Sequence, residues 1–321
     1  MMNRTAENLF WIGRYLERAE NYTRLIDVNY HMRHELKSPD NEYLWERLIA
    51  SIGDIHFFKE HFEHANETTA LQFLTFEPIN QNSLFSCIYF VRNNMRALRQ
   101  LLPGELWDIM NEFYLWLNEQ NLSSMMMQSP YKFFQHSKEW LSLFNGTAYS
   151  TMVRNHEWNF FQSGKFLESA ENTVRILQSI YSNFTKDSLP LCNHAKYNRL
   201  IVLLKSVGGY EAFRKVYADD VTLAKVIEFL ILNPIFPRSV SYSLSNLETL
   251  LMKIKKQDYQ FDLLAEKAIE LVTKLKQTLA GLDGENYESV GLGLILDMLE
   301  SINRLGVIIT KTFFQEEFVY A

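Results

Sequence analysis

Cysteine, proline and glycine are all scarce: 2, 7 and 12 among 321 residues. Two thiols, Cys87 and Cys192, are too few for a disulfide framework or a thiolate metal site. Each sits beside apolar neighbours, where a free cysteine packs as a small inert hydrophobe. So few prolines and glycines leave few breaks, and long helices are expected. No run approaches the ~20 apolar residues of a membrane span. Arg4, Glu7, Arg14, Glu17 and Arg18 interrupt any apolar leader core near the start, so a cytoplasmic chain is expected. A basic excess is also missing: Lys and Arg number 32 against 38 Asp and Glu, for a net charge of −6. Neither nucleic acid nor a membrane surface is therefore expected as the main partner. The spacings Gly-x-Gly-x-x-Gly, Gly-x-x-x-x-Gly-Lys and Gly-x-Ser-x-Gly do not occur. Nucleotide-dependent chemistry by this chain alone is not expected, and no cofactor is implied.

What is present is a hydrophobic content of 47% with 22% charged residues, the balance of a globular protein with a real core. The length suits one large domain or two ordinary ones. Residues 10–25 and 161–176 share Phe, Gly, Leu, Glu, Ala, Glu, Asn and Arg in register. Trp45-Glu46-Arg47-Leu48-Ile49 matches Tyr197-Asn198-Arg199-Leu200-Ile201, and Ser51-Ile52-Gly53 matches Ser206-Val207-Gly208. Phe73-Leu74, Pro78 and Ser83 match Phe229-Leu230, Pro234 and Ser239. Several matches in one order point to a duplication. The expected fold is all-α: two diverged copies of one helical unit, residues 1–150 and 151–321, packed with pseudo-two-fold symmetry. Each copy is led by a long helix, and the two could still form one compact domain.

Helical patterning runs through 4–36 until Ser38-Pro39, then through 41–65 with a bend at Gly53. A short helix over 67–76 stops before Glu77-Pro78, because the residue preceding proline leaves the α region. Ser83 and Ser239 suit N-caps. Gly208-Gly209 reads as a tight turn, and Met125-Met126-Met127 as a mobile connection.

On the first helix, with Glu17 at 0°, Gly13, Arg14, Asn21 and Arg24 fall within about 60° of it. Ile12, Tyr15, Leu16, Ala19, Tyr22 and Ile26 occupy the opposite arc. The second copy sets Gly164, Lys165, Glu168, Asn172 and Arg175 on an equivalent line. Such a row is ordinarily a solvated face. Two things argue otherwise: the residue types recur, and each copy keeps a mid-helix glycine that costs ~1 kcal/mol against alanine. The two helices are expected to approach at Gly13 and Gly164, with the stripes in or beside the interface. There the stripe is either a buried network, with Glu17 on Arg24 and Glu168 on Arg175, or the lining of a pocket. In a pocket the cations would hold a carboxylate or phosphate, and Glu17 or Glu168 would accept a proton.

His56, His61 and His64 with Glu60 and Glu63 meet neither Glu-x-x-His pairing nor His-Glu-x-x-His, and read as a solvated face with no metal. His156-Glu157 lies within two turns or so of Gly164, where it could extend the stripe. Trp11 and Trp158 read as core or staple residues.

The run Gly13-Arg14-Tyr15-Leu16-Glu17-Arg18-Ala19-Glu20-Asn21 resembles the signature of the bacterial alpha-E proteins, a helical family named for its Glu-Arg motif. The resemblance extends over essentially the whole chain. It includes Arg154-Asn155-His156-Glu157-Trp158, Leu204-Lys205-Ser206-Val207 with Glu211-Ala212-Phe213-Arg214, and Asn233-Pro234-Ile235-Phe236-Pro237-Arg238-Ser239-Val240. It implies an all-helical fold and places the family motif on Glu17 and Arg18. Where the family often repeats Glu-Arg, this chain has Glu168-Ser169. Family members accompany or are fused to ATP-grasp ligase-like and transglutaminase-like proteins. The resemblance thus implies a system that makes or breaks amide bonds, with this chain as an interaction module or non-ATP-binding subunit. The stripe residues Arg14, Glu17, Arg18, Asn21, Arg24, Lys165, Glu168, Asn172 and Arg175 would bind ligand or partner. A stand-alone enzyme working on an anionic substrate, and a pure scaffold, stay open beside it.

Overall fold

Residues 3–32 pass thirty positions with one glycine and no proline, and they form a single helix, α1 (Asn3–Met32). In the computed structural model the described residues are 3–33, 41–52, 55–186, 193–218, 220–257, 262–282 and 292–314. After α1 come α2 (Asn41–Ile52), α3 (Ile55–His61), α4 (Glu67–Leu71) and a π-helical segment (Gln72–Phe76). Then follow α5 (Leu84–Ala97), α6 (Gly104–Asn118), α7 (Leu122–Gln128) and α8 (Pro130–Thr151). The second part holds α9 (His156–Lys186), α10 (Asn193–Ser206), α11 (Tyr210–Tyr217), α12 (Leu223–Leu232), α13 (Val240–Gln257), α14 (Asp262–Ala280) and α15 (Leu292–Phe313). The fold is all-helical, and the described residues include no strand.

The helix over 67–76 ends at Phe76, before Glu77-Pro78, and widens to π geometry in its last turn. Ser83 accepts from Ser86 N at 3.1 Å and Ser239 from Tyr242 N at 3.1 Å, so both serines cap helix starts. Gly208 turns the chain at φ +65, a left-handed conformation that favours glycine. One expectation fails. The three methionines lie within α7, because Asn121 and Ser124 form a reciprocal capping box that nucleates a short helix. Met125 is buried there and Met127 is 87% exposed. The bend expected at Gly53, the break at Ser38-Pro39 and Cys192 lie outside the described residues; Cys87 is buried as expected.

The two longest helices, α1 and α9, make the central pair. Helices α5, α8 and α10 pack on α1, and α2, α13 and α15 pack on α9. On α1 the apolar arc is buried, with Ile12, Leu16, Ala19, Tyr22 and Ile26 all enclosed and Tyr15 half-buried. Each large apolar side chain so enclosed contributes about 1.5–3 kcal/mol. Unlike an ordinary surface helix, α1 also buries its polar arc, because α9 covers it. Buried polar groups must find partners inside the protein.

Candidate functional site

The polar arc of α1 meets that of α9 at two glycines. A Cβ on Gly13 would lie 2.0 Å from the Phe161 carbonyl oxygen, and one on Gly164 would lie 2.0 Å from that of Phe10. Only the missing side chains let the backbones come this close. The helices run side by side in the same direction, since the Arg14 and Arg18 contacts fall on Glu168 and Glu171 while Leu25, Asn29, Ile176 and Ile180 line one cavity further along.

With the backbones in contact, the stripe residues are driven into one another. Glu17 and Glu168 are 3% and 1% exposed, and Arg14, Asn21 and Asn172 are buried with them. Glu168 is tightly held. Arg14 Nε donates to its Oε2 at 2.6 Å, Arg18 Nε to Oε1 at 2.7 Å, and Arg18 Nη2 to Oε2 at 3.1 Å. Arg14 also donates to Glu171, and Arg18 Nη1 to Asn82 Oδ1 at 2.6 Å. Burial alone would raise the Glu168 carboxyl, but Arg14 and Arg18 outweigh it and pull the group down to about 2.

Glu17 is held differently. Its nearest cations are Arg238 Nη1 at 3.4 Å and Lys165 Nζ at 3.8 Å, the latter too far for a hydrogen bond. Burial, with Glu20 and Glu168 nearby, outweighs those cations and raises its carboxyl above the ordinary value. Arg238 also donates to Glu20, and Asn145 Nδ2 donates to the second Glu20 oxygen at 3.2 Å. Glu20 is pushed up by burial but ends below its usual value under Arg238, Lys165 and Arg24.

The outer stripe residues pair locally, not as expected. Arg24 meets Glu20 at 3.3 Å and Arg175 donates to Glu171, each one turn back, instead of Glu17 and Glu168. Seven residues separate Glu17 from Arg24, about 10 Å of helix rise, and a partner four residues away wins. Arg175 Nη1 also reaches across to the Ile52 carbonyl at 3.2 Å, at the end of α2, which Tyr22 Oη approaches at 3.4 Å. The Arg24 guanidinium rests 3.5 Å from where a Cβ on Gly208 would stand, past the end of α10. Arg175 thus serves the C-terminal end of α2, where the dipole favours cations, while Arg24 lies beside the turn that follows α10.

All nine stripe residues are therefore gathered along one helix pair; Arg14, Glu17, Asn21, Glu168 and Asn172 are buried there, and Lys165, Arg24 and Arg175 stay partly exposed at its edges. The site also contains Glu20, Asn82, Asn145, Glu171 and Arg238, which sequence reasoning left out of the stripe. Glu20 lies about 60° from Glu17 on the wheel, inside the arc already drawn. Arg238 stands one residue before Ser239, and Asn82 one before Ser83, in segments already matched to each other. Where Arg18 occupies the first motif, Ser169 stands in the second, and Arg238 brings a guanidinium to Glu17 from the turn before α13. His56, His61, His64, Glu60 and Glu63 are exposed, and His156 and Glu157 are half-buried in the first turn of α9. Trp11 stacks on Tyr15 with Arg14 5.4 Å over its ring, and Arg154 lies 3.7 Å over Trp158. Among the described residues no three His, Cys, Asp or Glu groups stand together as metal ligands, and no helix is long and apolar enough to cross a membrane.

Chemically, the two glutamates differ. Glu168 is an ionised acceptor already occupied by two guanidinium groups, whereas Glu17 takes up a proton more readily. Divergent environments of this kind are how paired carboxyls acquire different roles.

Residues 1–314 match the family model Alpha-E, a predicted alpha-helical domain with a conserved ER motif. The similar curated proteins include uncharacterized proteins of Mycobacterium bovis and Mycobacterium tuberculosis. Each is 25% identical over 262 residues, covering 76% of this chain and 29% of the relative. A second M. tuberculosis strain supplies one 24% identical over the same span. The chain therefore matches less than a third of the length of these relatives. No solved structure matches.

Proposed function

The chain belongs to the Alpha-E family, and on that premise we propose that it is a helical subunit that does not bind ATP and works in the cytoplasm against a second protein. The resemblance names the partners: an ATP-grasp ligase-like protein and a transglutaminase-like protein, in a system that modifies peptides through amide bonds. The observation that carries this reading is coverage. In the mycobacterial relatives the matching region is 29% of a much longer polypeptide, so a module of this kind sits beside other protein in the same chain. We infer the same adjacency for this chain. The stripe supports a framing role: Arg14 and Arg18 hold Glu168 across α1 and α9, and the frame then presents the outer helices to the partner. We further read residues 1–150 and 151–321 as diverged copies of one unit. The reciprocal contacts of Gly13 with Phe161 and Gly164 with Phe10 support that, as does the crossed pairing of Arg14 with Glu168 and Lys165 with Glu17.

The test is recovery of the tagged chain from its native extract at moderate salt, with its companions identified by mass. An ATP-grasp or transglutaminase-like protein in the eluate, rebinding when purified, is the expected result. Recovery of the chain alone, with no binding to either purified candidate, overturns the reading. A second reading, a stand-alone enzyme on an anionic substrate, is favoured by the raised carboxyl of Glu17. It requires turnover by the purified chain without a partner, lost in Glu17→Gln.

A further inference from the structure

Helices α8, α9 and α13 leave between them a groove of about 550 Å³ that ends on Lys165. Its volume falls within the range of small-molecule sites, about 300–1,000 Å³. Residues four, seven and eight apart on α9 (Trp158, Gln162, Lys165, Phe166) put one face of that helix on the floor. Two contacts fix the direction of the opposing wall. Thr173 Oγ1 donates to the Arg238 carbonyl at 2.8 Å, and Phe166 meets Tyr242 edge-on at 6.0 Å, so α13 runs antiparallel to α9.

The lining has a consistent chemistry. Phe166 with Tyr242 forms one aromatic pair, and Tyr149 with Trp158, ring centroids 6.2 Å apart, forms another toward the opposite end. Arg154 covers the second pair, 3.7 Å over Trp158 and 4.6 Å over Tyr149, and so fixes both rings. Two cations line the groove, Lys165 and Lys253, and no acidic side chain does. Lys165 donates to Asn145 Oδ1 at 2.9 Å, and Glu17 stands 3.8 Å away, beyond hydrogen-bond reach. An ammonium has three donors, so Lys165 keeps capacity on its groove side. Its side chain is 24% exposed there. The rise of α9 from Trp158 to Lys165 spans about 10 Å, a length over which a flat molecule can lie.

We propose that this groove binds an organic anion with a planar apolar body, its acidic group on Lys165 and its body between the two aromatic pairs, with Lys253 at the outer end. This assignment is independent of the docked partner. It concerns a surface that the Glu-Arg frame does not occupy, although the frame supplies Lys165.

The probe is 3-phenylpropionate, with its uncharged primary amide as control, titrated calorimetrically into the full chain. The acid is expected to bind saturably in the millimolar range or better, and about tenfold more tightly than the amide, the worth of one charge-assisted hydrogen bond. Lys165→Gln should abolish that preference. Because Lys165→Gln also touches Glu17, Lys253→Glu on the exposed rim provides a second variant in a position that leaves the core intact, and it should weaken the acid several-fold while leaving the melting temperature unchanged. Equal binding of acid and amide, no saturable heat with either, or binding indifferent to both substitutions overturns the assignment.

Discussion

Gly13 and Gly164 meet across the central helix pair so closely that a Cβ on either would stand 2.0 Å from a carbonyl oxygen of the other helix. Both obstacles are backbone, so neither can be relieved by a rotamer change. Gly13→Ala and Gly164→Ala are each expected to force the helices apart and cost at least ~3 kcal/mol, the upper end of overpacking penalties. Since one separation relieves both clashes, the double variant should cost clearly less than the sum of the singles. Urea unfolding of the three variants measures this.

Glu17 and Glu168 are expected to make opposite contributions to the pH dependence of stability. Glu168 titrates near 2 in the folded chain against an ordinary 4.5. Its contribution is full above the ordinary value and drains away as pH falls through it toward 2, about 3 kcal/mol in all. Glu17 is raised, so its buried charge costs stability above its ordinary value, and acidification through the raised value removes that cost. As pH falls through the ordinary carboxyl value toward 2, Glu168→Gln should flatten the acid loss of stability, and on the approach to the ordinary value from above Glu17→Gln should steepen it. Unfolding curves at stepped pH read both slopes.

Arg238 takes at Glu17 the role that Arg18 takes at Glu168. Arg238→Asn should therefore destabilise by about 3 kcal/mol or more, because it strips Glu20 and Glu17 of a buried cation. Adding Ser169→Arg to that variant recreates the Arg18–Asn82 arrangement in the second half. It is expected to recover part of the loss, seen as a higher urea midpoint than for Arg238→Asn alone. A lower midpoint would separate the two positions.

Much of this was legible in the chain. The close approach at Gly13 and Gly164 follows from two mid-helix glycines kept in matching motifs, and the inward stripe follows from charged types that recur. Glu20 was equally legible, since it lies within the arc drawn around Glu17, and local pairing at four residues would have placed Arg24 on it. Arg18 is different. It sits about 100° from Glu17 on the wheel, and only its long side chain brings it to Glu168. Arg238 lies outside any helix and reaches the site through the tertiary packing of α13 on α9, which periodicity does not encode. The methionine run of α7 misled because composition outweighed the Asn121–Ser124 cap. The groove at Lys165 was hidden for the same reason as Arg238: three helices distant in sequence build it.

The most direct test of the Glu-Arg motif as an internal frame is the unfolding free energy of Glu168→Gln at neutral pH. Removing that carboxylate leaves Arg14 and Arg18 buried without their main partner, and the expected loss is about 3–5 kcal/mol. Wild-type stability together with a lost ligand or partner interaction would contradict the frame and return the motif to the lining of a site.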